Sequence, residues 1–539
     1  MKNSKYVRPM LSGFLLYSLV FIRYLYYGFR YFYQLDDYIQ YHNYTCFFDD
    51  LWGYIVDAGM LASRPAAGPA DIFVWSRFYP CMIVAVALLS AMYTGAAFLL
   101  YRIFQNHFRV TPLFLVLFSL MPLGFEGTYW VSASSRVVCG LFFCVLGAWF
   151  LEKYWERKRW PYLLPAMLLE LLGSCFYEQA LVFGVALFIL LGLLRAREQR
   201  FYALWSGISL VNTAIYFVLT SLMPSGLYES RMTWMLPNDP YYFRTFLPNI
   251  LGQVKTVFLD GGSAVVWKGF TRGFGILVRD GAWLYLLLAV LLCTAFWWMF
   301  RREEERAGNK RLWMAVVLGM LLAASPITPF LFISNPWFCF RNAVFSFAGI
   351  ALVVDVLVAA LWNRFRIRSV APALAAVVAL VFVVCGVSEL HDYKAVHEDD
   401  QKIADAIIAR LDLSDPDQRI GLIGVEKCYL TEQNFDYHEH IHGVIESGWA
   451  LNGLLQCKRK TRSTAKVIPL HSDCIYEYWN YEENRIDGFD LLYAYDYETN
   501  LFTPLQARGM PDGSFDLYTE DGVLFGRVEE TDGRGYLTK

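Results

Sequence analysis

The sequence predicts a polytopic α-helical membrane protein of about eleven transmembrane helices, N-terminus inside and C-terminus outside, followed by a C-terminal extracytoplasmic domain of α/β or α+β type. Three observations carry the prediction. The 539 residues are 56% hydrophobic and 17% aromatic but only 18% charged, with a mean hydropathy of +0.35, which is too apolar for a soluble chain of this size. Apolar segments of roughly spanning length recur up to Leu390, with arginine and lysine gathered in every second connection. After Leu390 the composition changes to charged residues, turns and short apolar runs.

The basic N-terminus MKNSKYVRPM leads into LSGFLLYSLVFIRYLYYGFRYFY. A cleaved signal peptide needs a shorter apolar core and a small-residue cleavage site, so this run reads as a retained first helix. Apolar segments then fall at residues 10–33, 79–101, 110–123, 137–151, 162–176, 180–194, 201–222, 281–300, 312–332, 343–362 and 370–388. Alternate connections carry Arg102 and Arg109; Lys153, Arg157, Lys158 and Arg159; Arg195, Arg197 and Arg200; Arg301, Arg302, Arg306, Lys310 and Arg311; and Arg364, Arg366 and Arg368. The positive-inside rule makes these connections cytoplasmic, in accord with the basic N-terminus. The intervening ones face outward: LDDYIQYHNY and the loop to residue 78, GFEGTYWVSASSR, the FYEQ turn, the segment from Met223 to Asp280, and SNPWFCFR. In the fourth of these, YYFRTFLPNILGQVKTVFL has the pattern of an amphipathic helix lying in the interface.

Two domains follow, residues 1–389 in the membrane and residues 390–539 outside it. In the second, HEDDQKIADAIIARLDL has helical spacing, RIGLIGV and AKVIPL read as short strands, and LLYAYDYETNLFTPL and SFDLYTEDGVLFGRVEE read as hairpins around polar turns.

The formal net charge of −2 and the lack of a Lys/Arg block interleaved with aromatics exclude nucleic acid as a partner. No CxxC, HExxH, Walker or dinucleotide fingerprint is present, which disfavours a metalloprotease, a nucleotide-driven pump and a soluble-type oxidoreductase. Most of the 11 cysteines sit in apolar spans as small hydrophobes; Cys428, Cys457 and Cys474 lie in the C-terminal region, where their spacing supports neither a disulfide framework nor a zinc site but is compatible with one disulfide.

Chemistry is expected on the outer face. The adjacent carboxylates Asp36 and Asp37 stand where the first apolar run meets water, a costly place for an acid pair and a useful one for interfacial catalysis. One helical turn on, Gln40 stands beside Asp36 and Tyr41 beside Asp37, so the segment forms a hydrogen-bonding wall. Helix capping or simple solvation at the membrane exit is the plainer role for the same pair, and Asp49 and Asp50 repeat the pattern.

This layout resembles the GT-C superfamily of polyprenyl-phosphate-sugar glycosyltransferases, in particular bacterial members that modify cell-envelope polymers or lipids. The resemblance rests on the acidic motif after the first helix, the many spans with short internal loops, the polar outer motifs and the C-terminal external domain. It implies transfer of a sugar from a polyprenyl-phosphate donor to an extracytoplasmic glycan or lipid acceptor in the cell membrane, with Asp36 as general base and Asp37 orienting the acceptor or a metal. No cofactor is implied with certainty; a divalent metal is compatible with the acid pair. Arg77, Arg136 and Arg341 are the candidates for the donor phosphate, with an interfacial anchor beside Trp75, Trp130 and Trp337 as the alternative role of each. Glu178, with Tyr177 and Gln179, and Glu126, between glycines, are further substrate-binding candidates. The competing function is a transporter or flippase for a lipid-linked glycan, whose mark would be ionisable residues at span centres. An envelope assembly protein anchored by its spans is a third reading, for which about eleven spans are excessive.

Overall fold

A computed structural model of the chain describes residues 4–196, 199–224, 233–301, 312–334, 336–364, 370–430, 442–471, 474–475, 484–531 and 534–538. Of the basic residues used to orient the loops, Arg197, Arg302, Arg306, Lys310, Arg311, Arg366 and Arg368 lie outside the described residues. The chain divides into two compact units, Met1–Tyr31 with Asp50–Leu390, and Phe32–Asp49 with His391–Lys539.

The first unit is helical. Its main elements are α1 (Ser4–Ile22), α2 (Ile83–His107), α3 (Pro112–Ser119), α4 (Val131–Arg157), α5 (Leu163–Ser174), α6 (Glu178–Ala196), α7 (Ile208–Ser221), α8 (Gly262–Arg279), α9 (Trp283–Phe300), α10 (Leu312–Ala324), α11 (Phe347–Arg364) and α12 (Val370–Arg410), whose second half belongs to the second unit. Among the described residues, eight helical stretches are long and apolar enough to cross a membrane: Ile83–His107, Val131–Arg157, Glu178–Ala196, Arg200–Ser221, Trp283–Phe300, Leu312–Leu331, Phe340–Trp362 and Val370–Arg410. The chain is thus a multi-pass membrane protein by the length and composition of its helices.

Of the roughly eleven spans expected, eight are long and apolar enough to cross a membrane among the described residues. Each predicted segment contains helix, although in the first, 10–33, the helix ends at Ile22, and α3 and α5 are short. The apolar part of α1 is Pro9–Ile22, and α3 and α5 have 8 and 12 residues. The last two reach about 12 and 18 Å, against about 30 Å of hydrocarbon.

The reason α3 can stop early lies far from it in sequence. At its start, Thr111 accepts the Leu113 N–H and is itself held by Asp355 of α11, which accepts the Thr111 N–H at 2.8 Å and its hydroxyl. At its end, the Arg23 guanidinium donates to the carbonyls of Ser119 and Leu120 at 3.2 Å each, and Tyr93 donates to that of Phe118 at 2.7 Å. Both charged residues are buried. An anion at the N-terminus and a cation at the C-terminus oppose the helix dipole and satisfy the backbone groups that a helix end leaves open. Arg23 also ends α1, turning back to the Val20 carbonyl at 3.2 Å.

Two more ionisable side chains are buried among the helices. Glu152 in α4 takes His107 Nε2 and Arg195 Nη2, each at 2.7 Å. Glu170 in α5 is fully buried and accepts from Asn212 of α7.

The amphipathic segment is helical, through Tyr242–Phe246, Leu247–Lys255 and Thr256–Gly261, and the helix runs on into α8. Helices α10 and α11 approach so closely that a Cβ on Gly349 would lie 2.2 Å from the Gly319 carbonyl oxygen and 2.4 Å from the Ala323 nitrogen.

In the second unit, seven strands, β1 (Arg419–Val425), β2 (Lys466–His471), β3 (Leu491–Asp496), β4 (Leu501–Gly509), β5 (Phe515–Thr519), β6 (Leu524–Thr531) and β7 (Arg534–Thr538), form one sheet in the order β2-β1-β3-β4-β5-β6-β7, curled into a half-barrel. β1 runs parallel to β2 and β3, and every later pair is antiparallel. The parallel pairing needs a crossover, and α13 (Gly448–Arg459) lies on the β1 to β2 connection. Ile423, Leu470, Leu492, Leu505, Leu517 and Val528 share one buried cluster, so RIGLIGV, AKVIPL and both hairpins are strands as their patterns predict. The domain is therefore a mixed α/β fold.

Two outcomes are expected. Gly349→Leu wedges α10 from α11 and abolishes recovery of folded, monodisperse protein, whereas the same change at Gly207, which has nothing within 4 Å, does not; equal recovery of both would refute the close approach. In the sheet, Arg527 holds Asp516 through Nε–Oδ1 at 2.6 Å and Nη2–Oδ2 at 3.1 Å, which lowers the Asp516 carboxyl below the usual range. A lowered folded value gives stability that is present above about pH 4 and lost as pH falls through the folded value. The protection of β5 and β6 against hydrogen exchange in wild type over Arg527→Gln should therefore shrink toward zero at acid pH; a pH-independent difference counts against it.

Candidate functional site

Two sets of polar residues carry the candidate chemistry, one in each unit. In the second unit, the acid pair sits on a turn whose backbone explains why the two aspartates differ. Leu35 has φ +32°, a conformation that bulky side chains rarely adopt, and its side chain is buried. The turn is closed reciprocally: the Asp37 N–H donates to the Gln34 carbonyl at 2.8 Å, and the Gln34 N–H donates to Asp37 Oδ2 at 2.9 Å. Asp37 is fully buried, while Asp36 is half-buried and its carbonyl accepts from Ile39 and Gln40. The surrounding segment is held within the same unit. The Gln34 amide donates to the Tyr393 carbonyl at 3.0 Å, Gln401 to the Tyr38 hydroxyl at 2.7 Å, and Asn43 to the Gly453 carbonyl and Gln456 Oε1 at 3.1 Å each. Asp37 thus fixes the turn, and Asp36 is the acid of the pair with access to solvent. Gln40, one turn on, is half-buried.

In the helical unit, five of the seven residues singled out from sequence as substrate-binding join a single polar network: Glu126, Arg136, Glu178, Gln179 and Arg341 (Gln40 lies in the other unit). Glu178 opens α6 and takes Arg64 Nε at 3.0 and 3.2 Å on its two oxygens. The Arg64 guanidinium lies over the Tyr177 ring, 4.6 Å from its centroid. The Tyr177 hydroxyl accepts from Asn342 Nδ2 at 2.8 Å, and the same amide donates to Gln179 Oε1 at 3.0 Å. Gln179 returns bonds to the carbonyls of Pro326 at 2.8 Å and Asn342 at 3.2 Å. On the other side of Asn342, Arg341 pairs with the fully buried Glu126 at 3.6 Å and covers the Trp130 ring at 5.4 Å. Arg136 pairs with Asp71 at 3.2 Å, Ser135 donates to the same carboxylate at 2.9 Å, and Arg136 stands near enough to Arg64 for their charges to repel.

Local sequence explains the placement. Gly127 lets the Glu126 segment lie against the chain at Arg341, where a Cβ would come 3.0 Å from the Arg341 Cα and carbonyl oxygen. Asn342 caps the turn that precedes α11 by accepting the Cys339 N–H at 2.9 Å. The network lies at the N-terminal ends of α4 and α6 and of the stretch Phe340–Trp362, so three chain segments enter the helical unit from it in the same sense.

Arg77 takes no part: it is exposed on the turn Trp75–Phe78. The sequence reading passed over Arg64, Asp71 and Asn342. The signal for the first two was a charge balance, since Arg136 and Glu178 each need a counter-ion in an apolar surrounding and the loop after Asp50 supplies charges of both signs, Asp57 and Asp71 with Arg64 and Arg77. For Asn342 it was an amide within the run FCFRNAVF. Among the described residues, no group of three or more His, Cys, Asp or Glu side chains is placed to hold a metal ion.

No family model, no curated protein and no solved structure matches the chain.

The Arg64–Glu178 pair, 17% and 34% exposed, is the hinge of the network. A double-mutant cycle with Arg64→Gln and Glu178→Gln in detergent-solubilised protein should give a coupling of about 1–2 kcal/mol. Strict additivity would dismiss the pair as incidental.

Proposed function

We propose that the chain is a membrane glycosyltransferase of the GT-C kind, moving a sugar from a polyprenyl-phosphate donor to an acceptor outside the cytoplasm. The observation that carries the reading is the clustering of Arg64, Arg136 and Arg341 with three acids at the ends of apolar helices. Planar guanidinium groups of this kind suit bidentate contact with a phosphate, and their cost in an apolar setting calls for a function. A multi-helix apolar region joined to a curled C-terminal sheet domain accords with that superfamily's layout.

In the proposed reaction an acceptor hydroxyl attacks the anomeric carbon as the bond from that carbon to the phosphate oxygen breaks. The lipid phosphate leaves with the bonding electrons, and the hydroxyl proton passes to Asp36. Asp37 keeps the turn that presents Asp36. Within the helical unit, Arg341, Arg136 and Arg64 are the groups suited to a lipid phosphate, and the Tyr177 ring lies under the Arg64 guanidinium. In this reading the N-terminus is cytoplasmic, and the acid pair and the C-terminal domain face outward.

A second reading, a transporter or flippase for a lipid-linked glycan, is favoured by Glu170. A carboxylate buried at mid-helix, with Asn212 as its partner, is the kind of residue found on ion and substrate pathways.

Reconstituted protein with polyprenyl-phosphate sugar decides between them. Asp36→Asn is expected to lower transfer by about 10²–10⁴-fold with expression and donor binding retained. Full transfer by both Asp36→Asn and Asp37→Asn removes the proposed base. Donor crossing the proteoliposome bilayer without sugar transfer, and lost in Glu170→Gln, selects the second reading. Labelling of Cys46 and of a cysteine placed near the C-terminus from outside intact cells checks the orientation.

A further inference from the structure

At the far end of α4 from the arginine network, a cavity of about 210 Å³ opens between α2 and α4. It is lined by Arg102, Gln105 and Asn106 from the last two turns of α2 and by Trp149, Glu152, Lys153 and Glu156 from the end of α4. Neither proposed reaction uses it.

Its charges are balanced and separated in depth. Glu152 forms the floor; only 1% of its side chain is exposed, and it is taken up by His107 and Arg195. Above it stand one acid, Glu156, and two bases, Arg102 and Lys153. Lys153 and Glu156 pair with each other at 2.6 Å while still partly exposed, and Arg102 donates to Gln105 at 3.1 Å and lies 5.9 Å from the Tyr101 ring centroid. The Lys153 ammonium lies 5.2 Å from the centroid of Trp149, a residue type that marks the headgroup level of a bilayer. Both α2 and α4 end here, so their C-terminal carbonyls add partial negative charge beside Glu156.

We infer that this cavity binds the headgroup of a zwitterionic phospholipid carrying a primary ammonium, a phosphatidylethanolamine. A purely anionic headgroup meets Glu156 and two helix C-termini, and a purely cationic ligand meets Arg102 and Lys153. A zwitterion answers both. Its phosphate lies against Arg102 and Lys153, and its ammonium replaces Lys153 on Glu156 and donates to the acid and to Asn106. The position at the ends of two membrane-spanning helices puts the site at headgroup depth, where acyl chains can follow the apolar flanks of α2 and α4. The binding is non-covalent and independent of the glycosyl-transfer reading.

The test is native mass spectrometry of the full-length protein released from mixed micelles with equal phosphatidylethanolamine, phosphatidylcholine and phosphatidylglycerol. Wild type is expected to retain phosphatidylethanolamine above both others. Arg102→Gln and Lys153→Gln should each lower that retention by about fivefold. Glu156→Gln, at an exposed position where folding is not at risk, should erase the preference over phosphatidylglycerol. Equal retention of phosphatidylethanolamine and phosphatidylglycerol by wild type, or a preference untouched in Glu156→Gln, overturns the proposal. Excess soluble phosphoethanolamine is expected to displace the bound lipid while soluble glycerol phosphate is not, and equal displacement by the two overturns the proposal.

Discussion

In an apolar helical unit every interruption of the backbone must find its hydrogen-bond partners within the protein, because lipid supplies none. Helix α3 meets this constraint most plainly. Its eight residues end between a carboxylate from α11 and a guanidinium from the end of α1, two buried charges that stabilise opposite poles of one short helix. Without Asp355 and Arg23 the chain would have to continue as helix or expose its amides and carbonyls to hydrocarbon. With them it is free to break, and the breaks are where the functional candidates stand. Glu126 follows the interruption after α3, and Tyr177, Glu178 and Gln179 occupy the one after α5. The polar network is thus made possible by charges that take no part in it.

The same economy separates the two aspartates. A turn that forces Leu35 to positive φ is unfavourable by itself, and the reciprocal bonds between Gln34 and Asp37 offset the cost. Asp37 is committed to the turn and fully buried, whereas Asp36, half-buried, is the more accessible of the two. Adjacent residues of identical type have different duties because one faces into its turn and the other outward.

The long spans were legible because hydropathy over about twenty residues is a local property. The length of α3 was not. The run from 110 to 123 is almost uniformly apolar, and its end is dictated by Arg23, 96 and 97 residues away from the carbonyls it binds. The strands of the second unit were readable from alternation and turn residues in RIGLIGV and the two hairpins, whereas the order of the sheet is a long-range fact. At the site, Glu126, Arg136, Glu178, Gln179 and Arg341 stood out one by one as polar groups beside apolar helices. Their partners did not, because the pairing of Arg64 with Glu178 spans 114 residues and that of Asn342 with Tyr177 spans 165. Arg77 looked the same as the others in sequence, but it is exposed, and among the described residues it forms no ion pair.

Each arginine of the network already holds a carboxylate. An arriving anion therefore meets a competitor in place of a vacant charge, and its binding is an exchange: one oxyanion for another on the same guanidinium. The apparent affinity is the difference between two pairings, which stays modest even when each pairing is strong. Displaced acids wait alongside, so departure of the anion needs no incoming water to restore neutrality. Under the proposed reading such a site would reset itself, trading tightness for speed.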